Sequence, residues 1–228
     1  MAINTVEKID NLVKVNHVLI SVSDKTGLDD FVLGLNKTNP AVTIYSTGKT
    51  YDFIKKLGRH RPRMFQVSDY TGQRETQGGL VKTLDFKIYL GLLTETYNLY
   101  HQSDLSRTGA MPIDMVVVNL YPFRETIAKP DATPEKARGN IDIGGPCMIR
   151  ASAKNYIRVA SVVDPDDYRK IINELFLTGG RTGLDIRFYL AQKAFQHTAS
   201  YDTAIASYMG KQTIENIRGT YPQIENQQ

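Results

Sequence analysis

Met115-Val116-Val117-Val118-Asn119-Leu120 is the clearest strand in this chain: a short, β-rich apolar run of the kind that lies in a sheet interior. Similar runs flank it. Val18-Leu19-Ile20-Ser21-Val22 and Val42-Thr43-Ile44-Tyr45 precede it, Met64 to Val67 offers a third strand, and Arg158 to Val163 follows. Helical segments fall between them. One runs to Leu35, with Ser23 and Asp24 as candidate caps, and one from the Gly48 turn through Lys56 is ended by Gly58. Gly144-Gly145-Pro146 opens another, running to about Lys154, since proline is tolerated in a first helical turn. A long amphipathic segment from Leu184 to Met209 is expected to be helical, with a break near His197 to Ser200. Strands alternating with helices predict a three-layer α/β/α fold on a mainly parallel sheet. In such sheets ligands lie at the carboxyl ends of the strands.

Composition fits this reading. The chain has 228 residues, 41% hydrophobic and 23% charged, which is ordinary globular usage rather than that of a disordered or collagenous chain. Its apolar runs are too short to span a bilayer, and its first residues lack the basic flank and apolar stretch of a signal peptide. The single cysteine, Cys147, excludes an intramolecular disulfide and a cysteine metal cluster. We therefore expect a cytoplasmic enzyme or binding protein, with one domain over residues 1–210, loose order over residues 1–14, and a polar tail over residues 211–228. The net charge of +4 suits anionic ligands. The basic run Lys55 to Arg63 lacks interleaved aromatics and reads as a solvated helix end and loop, so no nucleic-acid partner is expected.

Two strand-to-helix turns share one character. Ser23-Asp24-Lys25-Thr26-Gly27 and Ser46-Thr47-Gly48-Lys49-Thr50 each set hydroxyls, a glycine and a lysine before a helix, as a monophosphate site does; capping with a surface lysine is the alternative for either alone. Gly48-Lys49-Thr50 is no P-loop, because Thr43 stands where that motif needs glycine. Lys82 and Thr83 follow the flexible pair Gly78-Gly79 and can reach a phosphate or a carbonyl. Tyr121 sits at the end of the strongest strand. Asp142 precedes a glycine-opened helix whose unpaired N–H groups can hold an oxyanion, at roughly 3 kcal/mol per donor, although Asp is also a common N-cap. Lys154, among small residues, is either a partly desolvated proton carrier or a solvated helix-end lysine. The four histidines show no metal-ligand spacing, and Cys147, with no histidine near it in sequence, reads as buried packing.

In order and spacing, several stretches resemble the inosine monophosphate (IMP) cyclohydrolase domain of the bifunctional purine-biosynthesis family that also carries a transformylase. They are Ser21 to Gly27, Ser46-Thr47-Gly48, Val67 to Gly72, Val81 to Leu84, Asn119 to Phe123, Asn140 to Pro146, Ala153-Lys154-Asn155 and Leu190 to Phe195. The resemblance implies a methylglyoxal-synthase-like fold. It also implies closure of 5-formamido-imidazole-4-carboxamide ribonucleotide to IMP with loss of water, the last step of de novo purine biosynthesis. On this likeness Ser23, Asp24, Lys25, Thr47, Gly48, Lys49, Thr50, Lys82 and Thr83 surround the nucleotide, chiefly its phosphate. Asn119, Asp142, Ile143 and Gly144 face the base, and Lys154 transfers a proton.

Both reacting groups sit on one ring, so positioning, oxyanion stabilisation and proton shuttling are the remaining needs. We assign the oxyanion to the Gly144 and Gly145 N–H groups, orientation of the carboxamide to Asp142, and assistance to Lys82, Lys154 and Tyr121. No metal or organic cofactor is expected. A homodimer is expected, and a separate formyl-transferring enzyme upstream. Leu80, Asp85, Phe86 and Tyr89 replace the family's arginine, histidine, proline and second histidine around Lys82, and Lys49 replaces a glycine, supplying charge that the lost arginine would have carried. A continuous helix from Gly144 to Lys154 would set its ends about 15 Å apart, so Asp142 and Lys154 serve one substrate only if the helix ends early or the lysine comes from elsewhere, such as a dimer partner. A phosphate-ligand regulatory domain or lyase is the alternative on the same fold.

Overall fold

The computed structural model describes residues 5–74, 76–77 and 82–223. In chain order the strands are β1 (Leu12–Lys14), β2 (His17–Val22), β3 (Thr43–Ser46), β4 (Arg63–Gln66), β5 (Met115–Asn119), β6 (Ala160–Val162) and β7 (Arg181–Gly183). The first helices are α1 (Leu28–Thr38), α2 (Gly48–Lys55), α3 (Val67–Thr71), α4 (Phe86–Leu93), α5 (Leu99–Thr108) and α6 (Phe123–Ile127). They are followed by α7 (Pro134–Gly139), α8 (Gly144–Lys154), α9 (Tyr168–Leu177), α10 (Leu184–Met209) and α11 (Ile214–Thr220). Five strands form a parallel sheet in the order β4-β3-β2-β5-β6. The α/β/α expectation holds. Among the described residues no helix is long and apolar enough to cross a membrane.

The apolar run of β5 is explained by burial on both faces. Met115 and Val117 point into one core with Val18, Ile20 and Ile44 of the neighbouring strands, covered by Phe31 and Leu35 of α1 and Ile171 and Leu175 of α9. Val116 and Val118 point into the other, with Leu19 and Tyr45, covered by Ile88 and Leu92 of α4, Met148 and Ile149 of α8, and Ala194 of α10. Strand alternation thus feeds two cores.

Several sequence expectations need correction. Residues 12–14 are not loose: β1 pairs antiparallel with β7. The cause is Arg187, a fully buried side chain that donates to the carbonyls of Asp10, Asn11, Tyr156, Ile157 and Thr182. The third strand stops at Gln66, and Val67 opens α3. The first helix is not capped by Ser23 or Asp24. It starts after Gly27 in the left-handed region at φ 64°, because the Asp24 carboxylate accepts the Thr26 N–H and hydroxyl instead. α10 does not break near His197. Thr198 is buried and its hydroxyl donates back to the Phe195 carbonyl, while Ala194, Tyr201 and Ala204 keep one face packed. The tail beyond residue 211 contains α11, capped by Thr213 and followed by Tyr221, whose hydroxyl reaches Glu135.

Replacing Arg187 with methionine keeps the stem but leaves five carbonyls without their donor. We expect a loss of about 3 kcal/mol or more, read as a fall in the urea midpoint; an unchanged midpoint would contradict the role given to this side chain.

Candidate active site

In the strand order, β2 leads on to β3 and β4 in one direction, while β5 and β6 lie in the other. The connections diverge between β2 and β5, and open α/β sheets bind ligands at such a point. Asn119, the last residue of β5, bridges it. Its carbonyl oxygen accepts the N–H groups of Ser23 and Asp24 at 2.6 and 3.0 Å, and its amide donates to the Asp24 carbonyl at 2.9 Å. Asn119 therefore holds the β2 loop rather than presenting a free amide to a base. Lys25 folds back onto the carbonyls of Val22 and Ser23, both at 3.2 Å. The Thr26 donors hold the Asp24 carboxyl below its ordinary range, with Lys25 adding to the effect.

The β3 turn is pinned in the same manner. Thr50 is buried, and its hydroxyl accepts from the Val22 N–H and donates to the Val22 carbonyl. Ser46 donates to the Ile20 carbonyl, and the Thr47 and Ser21 hydroxyls share a 2.8 Å bond. These groups are spent on shape. What remains open is a small cleft lined by Thr47, Gly48, Gln66, Ser68, Gln73 and Lys82. There the amino ends of α2 and α3 meet a lysine, and the arrangement suits a phosphate. Lys49 is exposed on the first turn of α2. Gln66, Ser68 and Gln73 were not singled out as ligands from the sequence, although Ser68 lies within one of the matching stretches.

At the amino end of α8, Asp142 accepts the Gly145 N–H at 2.8 Å. The capping reading of Asp142 is thus correct as far as it goes. Burial raises its carboxyl above the ordinary range, and the Gly145 N–H opposes that rise. Gly144 is in close contact with the Lys82 loop: a Cβ there would stand 2.4 Å from the Thr83 hydroxyl. Gly145 is as tight, with the Asp142 carboxylate and Leu120 each 2.6 Å from such a Cβ. The fold thereby brings Thr83, Asp142, Gly144 and Gly145 together, with Lys82 next to Thr83 along the chain and lining the cleft of Thr47 and Gly48. Ile143 is 57% exposed and Tyr121 56% exposed. Lys154 is exposed at the far end of an unbroken α8, so within one chain it stays apart from Asp142.

The substitutions around Lys82 have local roles. Asp85 caps α4 by accepting the Lys87 N–H at 2.8 Å, Phe86 is exposed, and Leu80 lies outside the described residues. The Tyr89 hydroxyl is buried facing Cys147 and Asp142, and burial with those two groups pushes its phenol up. Cys147 is half-buried rather than fully packed.

Beside this site, at the ends of β5 and β6, lies a larger crevice reached by Tyr121, Arg124, Lys193, His197 and Tyr201. Lys193 bridges Asp164 and Asp167 at 2.7 and 2.6 Å. Among the described residues no group of histidine, cysteine and carboxylate side chains has the form of a metal site.

A parallel five-stranded sheet between two cores, with its candidate site on the β2, β3 and β5 loops, defines the class, and the chain belongs to the MGS-like domain family, whose model matches residues 27–147. The model described as AICARFT/IMPCHase bienzyme matches residues 152–228. The chain is similar to the bifunctional purine biosynthesis protein PurH of Synechococcus sp. (strain CC9605), 46% identical over 85% of this chain and 36% of that protein. It is 50% identical to PurH of Thermoanaerobacter sp. (strain X514) over 84% of this chain and 36% of that protein. It spans little more than a third of the length of these curated relatives. Among solved structures, one titled "Crystal structure of ForH" superposes with a TM-score of 0.72 at 29% identity, covering 84% of this chain and 97% of that one.

Two outcomes follow from the geometry. Gly145→Ala should cost about 1–3 kcal/mol by overpacking, measured by urea denaturation; full stability would show that the turn relaxes freely. His197, whose Nε2 is buried without a partner among the described residues, has an imidazole pKa lowered by burial, with Asp164 opposing. Its unfolded form binds a proton first as pH falls, so stability is lost on acidification from about pH 7 to pH 5. His197→Gln should flatten that part of the stability profile, and an unchanged slope would count against it.

Proposed function

We propose that this chain closes 5-formamido-imidazole-4-carboxamide ribonucleotide to IMP. The observation that carries the reading is the contact of Thr83 with Gly144, which joins the loop bearing Lys82 to the amino end of α8 where Asp142 accepts the Gly145 N–H. The phosphate occupies the cleft of Thr47, Gly48 and Lys82, with Lys49 adding charge. Ser23, Asp24 and Lys25 border the ribotide, Thr50 and Asn119 hold the loops, and Thr83 and Ile143 flank the base. The carboxamide nitrogen attacks the formyl carbon, and the formyl oxygen gathers negative charge against the Gly144 N–H; the Gly145 N–H, assigned to the same task from the sequence, is instead spent on the Asp142 carboxylate. Protonated by way of Lys82, Lys154 or Tyr121, that oxygen leaves as water, while the carboxamide nitrogen and the formamido nitrogen each give up one proton. Asp142 orients the carboxamide. The ring atoms are already adjacent, so positioning supplies much of the rate. A cytoplasmic setting and a separate enzyme supplying the formylated ribotide complete the reading.

Lys154 is reconciled with this scheme by a homodimer. Ile143, Cys147, Arg150 and Lys154 fall on one stripe of α8. Two copies of that helix packed antiparallel about a two-fold axis would bring each lysine to the other's Gly144 end.

Purified protein mixed with the formamido ribotide should develop purine absorbance, and IMP should bind more tightly than triose phosphates; the reverse preference would favour the lyase or sensor reading. Lys82→Ala and Lys154→Ala should each lose about a hundredfold or more in rate. Mixing the two variants should restore activity, because one site of each mixed pair then holds both lysines. No recovery would refute the shared site, and near wild-type turnover in both variants would refute the assignment.

A further inference from the structure

Tyr201 lies on α10, 59 residues beyond the turn it touches. Its side chain is buried, 8% exposed. The hydroxyl accepts the Asp142 N–H at 2.8 Å and donates to the Asn140 carbonyl at 3.2 Å. One oxygen therefore holds both ends of the Asn140–Ile141–Asp142 turn. That turn links α7 to α8 and fixes where the Asp142 carboxylate meets the Gly145 N–H. The ring is itself held: Phe123, which follows Tyr121 and Pro122 at the end of β5, meets it edge-on at 6.1 Å between centroids and 68° between planes. Burial, with the Asp142 and Asp202 carboxylates, pushes the phenol up, so the hydroxyl keeps its proton and its donor role.

We propose that Tyr201 is a positioning residue for ring closure, setting the Asp142 turn and through it the amino end of α8 at Gly144; the inference rests on the cyclohydrolase reading. Its hydroxyl acts on geometry alone and exchanges no proton with substrate. Because the phosphate cleft is built from the β3 turn, the α3 end and Lys82, removal of the hydroxyl leaves the grip on the ribotide in place. The effect falls on turnover.

In Tyr201→Phe, kcat should fall roughly 10- to 100-fold, the loss that misplacement of about 1 Å produces. KM should change by less than about twofold, as for a group acting only after binding. The thermal midpoint should stay near that of wild type, and amide exchange at Asp142 should quicken about tenfold or more. Combined with Asp142→Asn, the loss should match the larger single loss, because both substitutions act through one turn. Wild-type turnover in Tyr201→Phe, a loss that only tracks unfolded protein, or additive losses in the double variant would each overturn the proposal. If the wild-type chain closes no ring, the cyclohydrolase reading falls. Amide exchange still decides whether Tyr201 holds the turn, and unchanged protection at Asp142 would overturn that as well.

Discussion

The amide of Asn119 spans the seam between β2 and β5, and the site depends on that span. Parallel strands send all their connections out at the sheet's ends, and where those connections part company the loops have no neighbour to lean on. A side chain that accepts two N–H groups and donates to one carbonyl across the gap supplies that neighbour. Thr50 does the same between α2 and the end of β2. Such bonds are modest in net energy, about 1 kcal/mol each, but costly to break when buried. They convert a rigid sheet into rigid loops.

With loops fixed in this way, the proposed chemistry is left largely to the backbone and to a few charges. Helix ends supply N–H donors that need no reorganisation when charge develops against them. The glycines matter for closeness rather than flexibility: neither Gly144 nor Gly145 has a positive φ, yet a Cβ on either would strike a neighbouring group of the site. A single methyl group there separates the lysine loop from the donors.

The sheet was legible because β2, β3 and β5 are β-rich apolar runs, and burial on both faces forces such runs. β1 and β7 were not, since three residues carry no periodicity and their pairing rests on Arg187, far along the chain. The two strand-to-helix turns could be singled out from their hydroxyls, glycines and lysines. Which of those groups stay free could not. The bonds that spend Asn119 and Thr50 depend on β2 lying between β3 and β5, and Asn119 reaches Ser23 across 96 residues. Tyr201 gave only the signal of a helical face, Ala194, Thr198 and Tyr201 at intervals of four and three, which also describes simple packing. Asp142 showed the limit from the other side, since a helix-capping carboxylate and a substrate-facing one share one sequence pattern, and the structure shows the first of these through the Gly145 N–H.

α10 ties these levels together. Arg187 and Tyr201 stand 14 residues apart on it, about 21 Å along the axis. At one end the buried guanidinium, pulled down by burial to about 10 yet still charged at neutral pH, locks the helix to β1, β7 and the segment before β6. At the other the phenol sets the Asp142 turn. Between them the helix packs on α8 and β6 through Leu190, Ala191, Ala194 and Thr198, small or branched side chains that permit close approach. A break near His197 would uncouple the two ends and leave the turn to find its own position. The unbroken helix instead joins the Arg187 contacts beside the small β1–β7 pair and the Tyr201 contacts at the Asp142 turn in one continuous element.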